Sequence, residues 1–517
     1  MLKKFLSSAL VLVMLLSALV ACGTDVEDPA ATDNGGNGDG GNADVSDSVS
    51  ETEHQLELDS ETDWNGRTFT MLVRKSRETH YGIEAPEFGS SQLEKAIWER
   101  NNKVINEYNV NLKYVPIKDS NEAGVWAAGV AEEIERSVSA GSTEYDAVAP
   151  DYCTSVQDKG YFTNLLDLEF EHFDAPWWWD NWNEAFTING KLNSAVGWLT
   201  LDVVQGIEVV YFNPAIMETV FTADNGFGDY ESVYDLVYDG DWTLENMKTL
   251  GKLATYNVVW SGAPGETGAQ GDQYVHGTIM HYCGTRGLFV SLGGRFVKYY
   301  DDGSPYIELA TTTNQGIVDA MGSWMRNNPE VFYTSYSENY GHGLGQNENP
   351  ATAAQYFKDG HALFFCYGIR AAEKLASLDM EYGVLPHPTL EGGTDYKTTT
   401  FGTSFFAIER QRTDEAKAFA SFMLEALNYW SYDIVKPVYY EKTLKLQNVG
   451  NDKEAADMID LAVEGAYLDL GYISNIGNCV SMIEKGVMQG TSLSQLWTSD
   501  NGKTEQELAD WVNGYLR

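Results

Sequence analysis

The residue types that carry catalysis are present in this 517-residue chain, but not at catalytic spacings. No GxSxG, HExxH or SxxK occurs, so no nucleophile or metalloprotease constellation is written locally. Cys153, Cys283, Cys366 and Cys479 lie far apart with no CxxC pair. They allow two disulfides in three connectivities, or four buried thiols that pack as small hydrophobes. No Cys or His falls at metal-ligand spacing, so no metal and no cofactor is expected. Gly341–Gly345 (GHGLG) lacks the Lys and Ser of a phosphate loop and reads as a flexible loop. Asp500-Asn501-Gly502 reads as a turn, because EF-hand ligand spacing fails after it. Carboxylates abound, at 76 Asp and Glu, but a glycosidase pair is defined by geometry and not by number. The densest chemistry is aromatic. Asp174–Asn183 (DAPWWWDNWN) places Trp177, Trp178, Trp179 and Trp182 within six positions. Consecutive residues cannot all face one core. Some of these rings are therefore expected at least partly exposed, where they would suit sugar faces, and each single ring is expected to pack structurally.

The elements that must position such groups begin near Trp64. Arg67–Arg74 alternates as a strand, and Ser90 is placed to cap a helix over Ser91–Tyr108. Val110–Ile117 is a second strand, Gly124–Ala140 a second helix and Tyr145–Ala149 a short third strand ending at Pro150-Asp151. Strand alternating with helix predicts a parallel sheet, whose ligands sit beyond the carboxyl ends of its strands. Asp151, Tyr152 and Thr154 are the first candidates on that rule, with helix capping the other reading of Asp151.

Phe186–Val196 predicts a hairpin on Asn189-Gly190, and Gly197–Pro214 two apolar strands joined through Asp202–Gly206. Thr243 is placed to cap a helix over Leu244–Tyr256. A second alternating body follows, with strands at Tyr274–Met280, Ala362–Tyr367 and Tyr382–Leu385 and helices at Gly284–Leu292 and Asn314–Asn327. A hairpin is expected at Val297–Leu309, turning on Asp302-Gly303. The end of the chain is helical at Ala455–Ala466, Val480–Gln489 and Glu505–Leu516.

A formal charge of −42 disfavours nucleic acid and anionic lipid as partners. Thr24–Gly66 contains no Lys or Arg, and Asp33–Asn42 (DNGGNGDGGN) is low in complexity. Residues 23–63 are expected to form an acidic tether. Met1–Cys22 has a basic head at Lys3 and Lys4, an apolar run over Phe5–Leu16 and small residues after it. That is the layout of an export signal. Leu19-Val20-Ala21-Cys22 resembles the lipobox of bacterial lipoproteins. The resemblance implies cleavage before Cys22, a diacylglycerol on its sulfur, and a location on the extracellular face of the cytoplasmic membrane.

The order of several fragments resembles the extracellular solute-binding proteins of ABC importers, in the maltose- and oligosaccharide-binding branch. They are YDAVAPDY (Tyr145–Tyr152), NGKLNSAVGW (Asn189–Trp198), VVYFNP (Val209–Pro214), WTLENMKTLGKLA (Trp242–Ala254), FKDGHALFFCYG (Phe357–Gly368), YGVLPHP (Tyr382–Pro388) and FGTSFFAIERQRTDEAKAFASFML (Phe401–Leu424). The resemblance implies an α/β, two-lobed periplasmic-binding-protein-like fold (type II) that closes on a solute. It puts residues 64–203 plus 400–435 in lobe 1 and residues 207–395 plus 437–517 in lobe 2. Crossings are expected near Asp202–Gly206, Pro388–Thr400 and Tyr429–Pro437. By loop position the cleft would be lined by Asp151, Tyr152, Asp202, Gln205, His281, Tyr282, Arg286, Tyr367, Arg370, Tyr472, Asn475 and Asn478. Rings would stack on sugars, and the polar groups would bond hydroxyls. The implied partners are a small-molecule solute of carbohydrate type and the permease subunits, with the chain itself a monomer and not an enzyme. The other readings are a surface glycan hydrolase and a binder of a peptide or organic ion.

Overall fold

A computed structural model describes residues 56, 58–75, 82–87, 89–117, 128–150, 154–257, 275–334, 350–377, 381–439 and 453–517. Asp151, Tyr152, Cys153, Cys22, the tether up to residue 55 and the Gly341–Gly345 loop lie outside the described residues.

The first sheet is built as the alternation predicts. β1 (Arg67–Arg74) leads to α1 (Gln92–Tyr108), β2 (Val110–Ile117), α2 (Ala128–Ala140) and β3 (Ala147–Ala149). The strand order is β2-β1-β3, all parallel. The cap of α1 is Ser91 and not Ser90. Ser91 Oγ accepts from the Glu94 N–H at 3.0 Å, and the Glu94 carboxylate reaches back to the Ser90 and Ser91 N–H groups, closing a capping box. Ile97, Val104 and Tyr108 form the buried stripe of α1, and Ile134 is buried from α2. The Phe405–Glu409 region returns late in the chain and bridges this sheet antiparallel, Val148 with Ala407, while Phe406 bridges Ala195 outside it.

The tryptophan run leads into α3 (Asp180–Phe186), which carries Trp182, and three of its four rings are buried. The Trp177 indole N–H donates to Glu425 Oε1 at 2.9 Å, and that of Trp178 to Glu425 Oε2 at 2.8 Å. His172 Nδ1 is 3.0 Å from the same carboxylate. Trp182 donates to the Ala466 carbonyl at 3.1 Å. Only Trp179 of the run stays half-buried. The Asn189-Gly190 turn is present, with both residues at positive φ and an antiparallel bridge between Ile188 and Lys191.

Gly197–Leu201 is not a strand. It makes a single bridge to Trp178 and then turns into α4 (Asp202–Gly206). The chain is deflected because the buried Asp202 carboxylate accepts from Thr200 Oγ1 at 2.6 Å and Ser404 Oγ at 2.7 Å.

β4 (Glu208–Phe212) opens the second sheet, followed by α5 (Leu244–Asn257), β5 (His276–His281) and α6 (Tyr282–Ser291). The β6 (Val297–Tyr299) and β7 (Pro305–Ile307) hairpin turns where expected, and α7 (Thr312–Met325) and β8 (Val331–Thr334) come next. α8 (Pro350–Lys358) precedes β9 (Ala362–Gly368), which with β10 (Gly383–Leu385) completes a sheet of order β10-β4-β9-β5-β8. β9, β5 and β8 are mutually parallel, and β4 runs against β9 with Glu208 opposite Gly368. α9 (Asp414–Trp430), capped by Thr413, carries Glu425 and packs on the first sheet's helix α1. α10 (Lys453–Glu464), α11 (Cys479–Gln489) and α12 (Lys503–Tyr515) close the chain. Asn501 and Gly502 both take positive φ, as a turn requires. Cys283, Cys366 and Cys479 are buried and unpaired, which answers the disulfide question for these three.

Burial pushes the Glu425 carboxyl upward, and the indole and imidazole donors oppose that shift. Replacing it with an amide sets an N–H group against a buried indole N–H. Glu425→Gln is expected to cost about 2 kcal/mol or more. A thermal melt indistinguishable from wild type would show that the carboxylate is not what fastens the tryptophan run.

Candidate functional site

The carboxyl ends of β5 and β9 lie side by side, with Met280 opposite Cys366. The residues just past both ends therefore converge, as the rule for parallel sheets requires. His281 ends β5. Its ring lies 4.4 Å from Tyr282 and 4.5 Å, edge-on, from Tyr367 near the end of β9. Tyr367 stacks on Phe401 at 5.5 Å, and its hydroxyl accepts from Arg370 Nε at 3.2 Å and from Arg370 Nη2. The Arg370 guanidinium covers the Phe401 ring at 4.2 Å.

On the other side, Arg286 lies one turn into α6. Its guanidinium is 5.1 Å from the Tyr282 ring and 5.4 Å from the Tyr472 ring. It donates to the Tyr472 hydroxyl at 3.4 Å and pairs with Glu484 at 3.4 Å. Tyr472 is set by a buried carboxylate. Asp469 accepts from the Gly471, Tyr472, Phe296 and Val297 N–H groups, pinning the turn to the start of β6.

Six of the expected residues are thus gathered: His281, Tyr282, Arg286, Tyr367, Arg370 and Tyr472. Tyr282, Arg286 and Arg370 are half-buried and accessible, over buried His281, Tyr367 and Tyr472. Gln205 joins them from below. Its carbonyl accepts the Arg370 N–H at 3.0 Å, and its side-chain amide donates to Glu373 at 3.2 Å. The stretch after Met280 is not a loop. His281 caps α6 by accepting from the Cys283 N–H at 3.3 Å, so a helix presents Tyr282 and Arg286. Asp202 is buried in its bonds to Thr200 and Ser404. Asn475 and Asn478 are exposed at left-handed turn positions, where Asn is tolerated.

Sequence reasoning missed Phe401, Glu208 and His387. The Gly368 site explains Phe401: a Cβ there would meet Phe401 Cε1 at 2.3 Å, so the ring presses directly on the end of β9. Glu208 is fully buried at the start of β4, and neither carboxylate oxygen has a hydrogen-bond partner among the described residues. His387 is equally buried, and among the described residues neither ring nitrogen has a partner. A Cβ on Gly287 would meet Glu208 Cβ at 2.6 Å and His387 Nε2 at 2.8 Å, so α6 lies directly on this pair. The only sequence signal was one acidic residue inside an apolar strand, GIEVVYF.

Burial pushes the Glu208 carboxyl up to about 8, against the pull of Arg370 and Arg286. Burial holds His281 down to about 3, with Arg370 and Arg286 adding to the effect, and holds His387 down to about 3. The layer beneath the two guanidinium groups is thus buried and uncharged around neutrality. A raised carboxyl contributes stability that is full below its unfolded range, near about 4.5, and is lost as the pH rises through about 8. Glu208→Gln should therefore gain on wild type by roughly 2–4 °C in melting temperature between about pH 5 and about pH 9. A constant difference across that window would show that Glu208 does not titrate there.

No family model matches the chain, and no curated protein matches it in sequence. Among solved structures it is similar to UgpB from Mycobacterium tuberculosis in complex with glycerophosphocholine. The TM-score is 0.53 at 15% identity, over 86% of this chain and 98% of that one. It is similar to the cyclic alpha-maltosyl-1,6-maltose binding protein from Arthrobacter globiformis, with TM-score 0.52 at 12% identity, over 87% and 99% of the two chains. It is similar to the ABC substrate-binding protein Lmo0181 from Listeria monocytogenes in complex with cycloalternan, with TM-score 0.50 at 14% identity, over 86% and 99%. At such identities the likeness is one of fold. This chain therefore has the two-domain α/β fold that these proteins share.

Proposed function

We propose that this protein is the solute-binding component of an ABC importer, which captures a carbohydrate and passes it unaltered to a membrane permease. The observation that carries this reading is the ring-and-guanidinium floor at the joined ends of β5 and β9. Tyr282 and Phe401 offer accessible ring surface, and Arg286 and Arg370 offer donors fixed by stacking. Planar, preorganised donors beside rings suit a polyhydroxylated solute. The binding of cycloalternan and of a cyclic maltosyl-maltose by proteins of the same fold supports the class.

In this reading residues 64–203 plus 400–435 form one lobe, and residues 207–395 plus 437–517 the other. They close over the floor. Closure excludes water, and the closed state is the one a permease reads. The work is binding and release, with no chemical step. Cleavage before Cys22 and lipidation of its sulfur would fix a monomer to the outer face of the cytoplasmic membrane, with residues 23–63 as the spacer.

A thermal-shift panel of mono- to hexasaccharides, amino acids and polyamines tests the solute class. A saccharide is expected to raise the melting temperature, and Tyr282→Ala or Arg370→Ala to abolish that rise while the unliganded protein still melts cooperatively. A rise retained in both variants would refute this placement of the site. Conversion of the saccharide to products would make the protein a hydrolase. The anchor is tested separately. Cys22→Ser should move the protein from the membrane to the soluble fraction and abolish incorporation of labelled palmitate, and unchanged fractionation would remove Cys22 as the anchor.

A further inference from the structure

We infer that the tryptophan run builds a second binding site, for a neutral saccharide unit, separate from the floor described above. A pocket of about 400 Å³ lies between the run and α10. That is within the range of small-ligand sites. Trp179, Trp182 and Trp198 form one wall; Val463 and Ala466, with Asp460 and Glu464, form the other. Lys436 also lines it. None of the residues gathered at the ends of β5 and β9 lines this pocket.

The rings are fixed before any ligand arrives. Trp179 stacks on Trp198 at 5.2 Å with 23° between the planes, and Trp182 is held by its bond to the Ala466 carbonyl. Lys436 Nζ lies 4.0 Å from the Tyr432 ring centroid and 5.1 Å from that of Trp198, so its direction is set as well. Trp198 is almost fully buried, which leaves half-buried Trp179 as the accessible ring. Among the described residues the buried Trp179 indole N–H has no hydrogen-bond partner.

The charges narrow the ligand. Asp180, Asp460 and Glu464 outnumber Lys436, so an anion is disfavoured. A neutral polyol makes use of both signs. Its hydroxyls donate to the carboxylates and accept from Lys436 and Asn181, while its C–H face lies on the ring. A cation offers fewer acceptors to Lys436 and Asn181, and an acidic solute would meet three carboxylates.

The test is fluorine NMR of the 5-fluorotryptophan-labelled protein, with the Trp179 resonance assigned from Trp179→Phe. The probes are maltose, cellobiose, choline chloride and glucuronate. A disaccharide is expected to shift the Trp179 resonance saturably, both in wild type and in Arg370→Ala. The dissociation constant should weaken about tenfold in Glu464→Gln or Lys436→Met. Glu464 is exposed, so its variant carries little folding risk. The site is refuted if neither disaccharide shifts Trp179, if only choline or glucuronate does, or if both variants bind as wild type does. Because Trp179 is read in the Arg370→Ala background, the outcome is independent of whether the floor binds a solute.

Discussion

Three distant segments are tied by backbone hydrogen bonds at one place, and the arrangement of the described chain depends on that knot. The Ile369 N–H donates to Ile207 O at 2.8 Å, and the Arg370 N–H to Gln205 O at 3.0 Å. The Glu208 N–H donates to Thr399 O at 2.9 Å, and the Phe401 N–H to Gly206 O at 3.1 Å. Gly206 is obligatory there, since a Cβ would meet Thr400 Oγ1 at 2.2 Å and Gly402 O at 2.9 Å. These bonds join the end of β9, the entry to β4 and the segment returning toward the first sheet. They also aim Arg370 and seat Phe401 on Tyr367. A side chain at the end of β9 is therefore placed by main-chain geometry, which fluctuates less than a loop would.

The floor is organised by exclusion of water. Glu208 and His387 are buried without partners, an arrangement expensive for charged groups, so each is held in its neutral form. The guanidinium groups above them keep their charge against ring faces, tyrosine hydroxyls and Glu484, although Arg286 Nε has no hydrogen-bond partner among the described residues. Positive charge is thus kept at the accessible layer and removed from the layer beneath. Such layering strengthens any hydrogen bond a solute makes to Arg286 or Arg370, because the medium behind them is apolar.

Much of this was legible from periodicity. The strands at 67–74 and 110–117 lie where alternation put them, and most helices begin within a few residues of their caps. The misreadings share a cause, which is tertiary hydrogen bonding overriding local pattern. The apolar run after Gly197 looked like a strand, yet Asp202 is bonded to Ser404, more than two hundred residues away, and the chain turns there. The residues gathered at the joined strand ends were readable where a strand end fixed them, as for His281, Tyr367 and Arg370. Asn475 and Asn478 stand exposed at left-handed turn positions. Phe401 and Glu208 were not legible, because one is placed by the knot and the other by packing of α6 through Gly287.

The three buried sulfhydryls bear on how the molecule matures. Burial holds Cys366 and Cys479 well above the usual thiol range and pushes Cys283 up to about 12, so little thiolate exists to react. None of the three contributes a covalent cross-link. The described core is therefore assembled by packing and hydrogen bonding without any contribution from oxidation at these positions. It should reach the same state in air or under strict anaerobiosis, with no demand for an oxidoreductase to guide it.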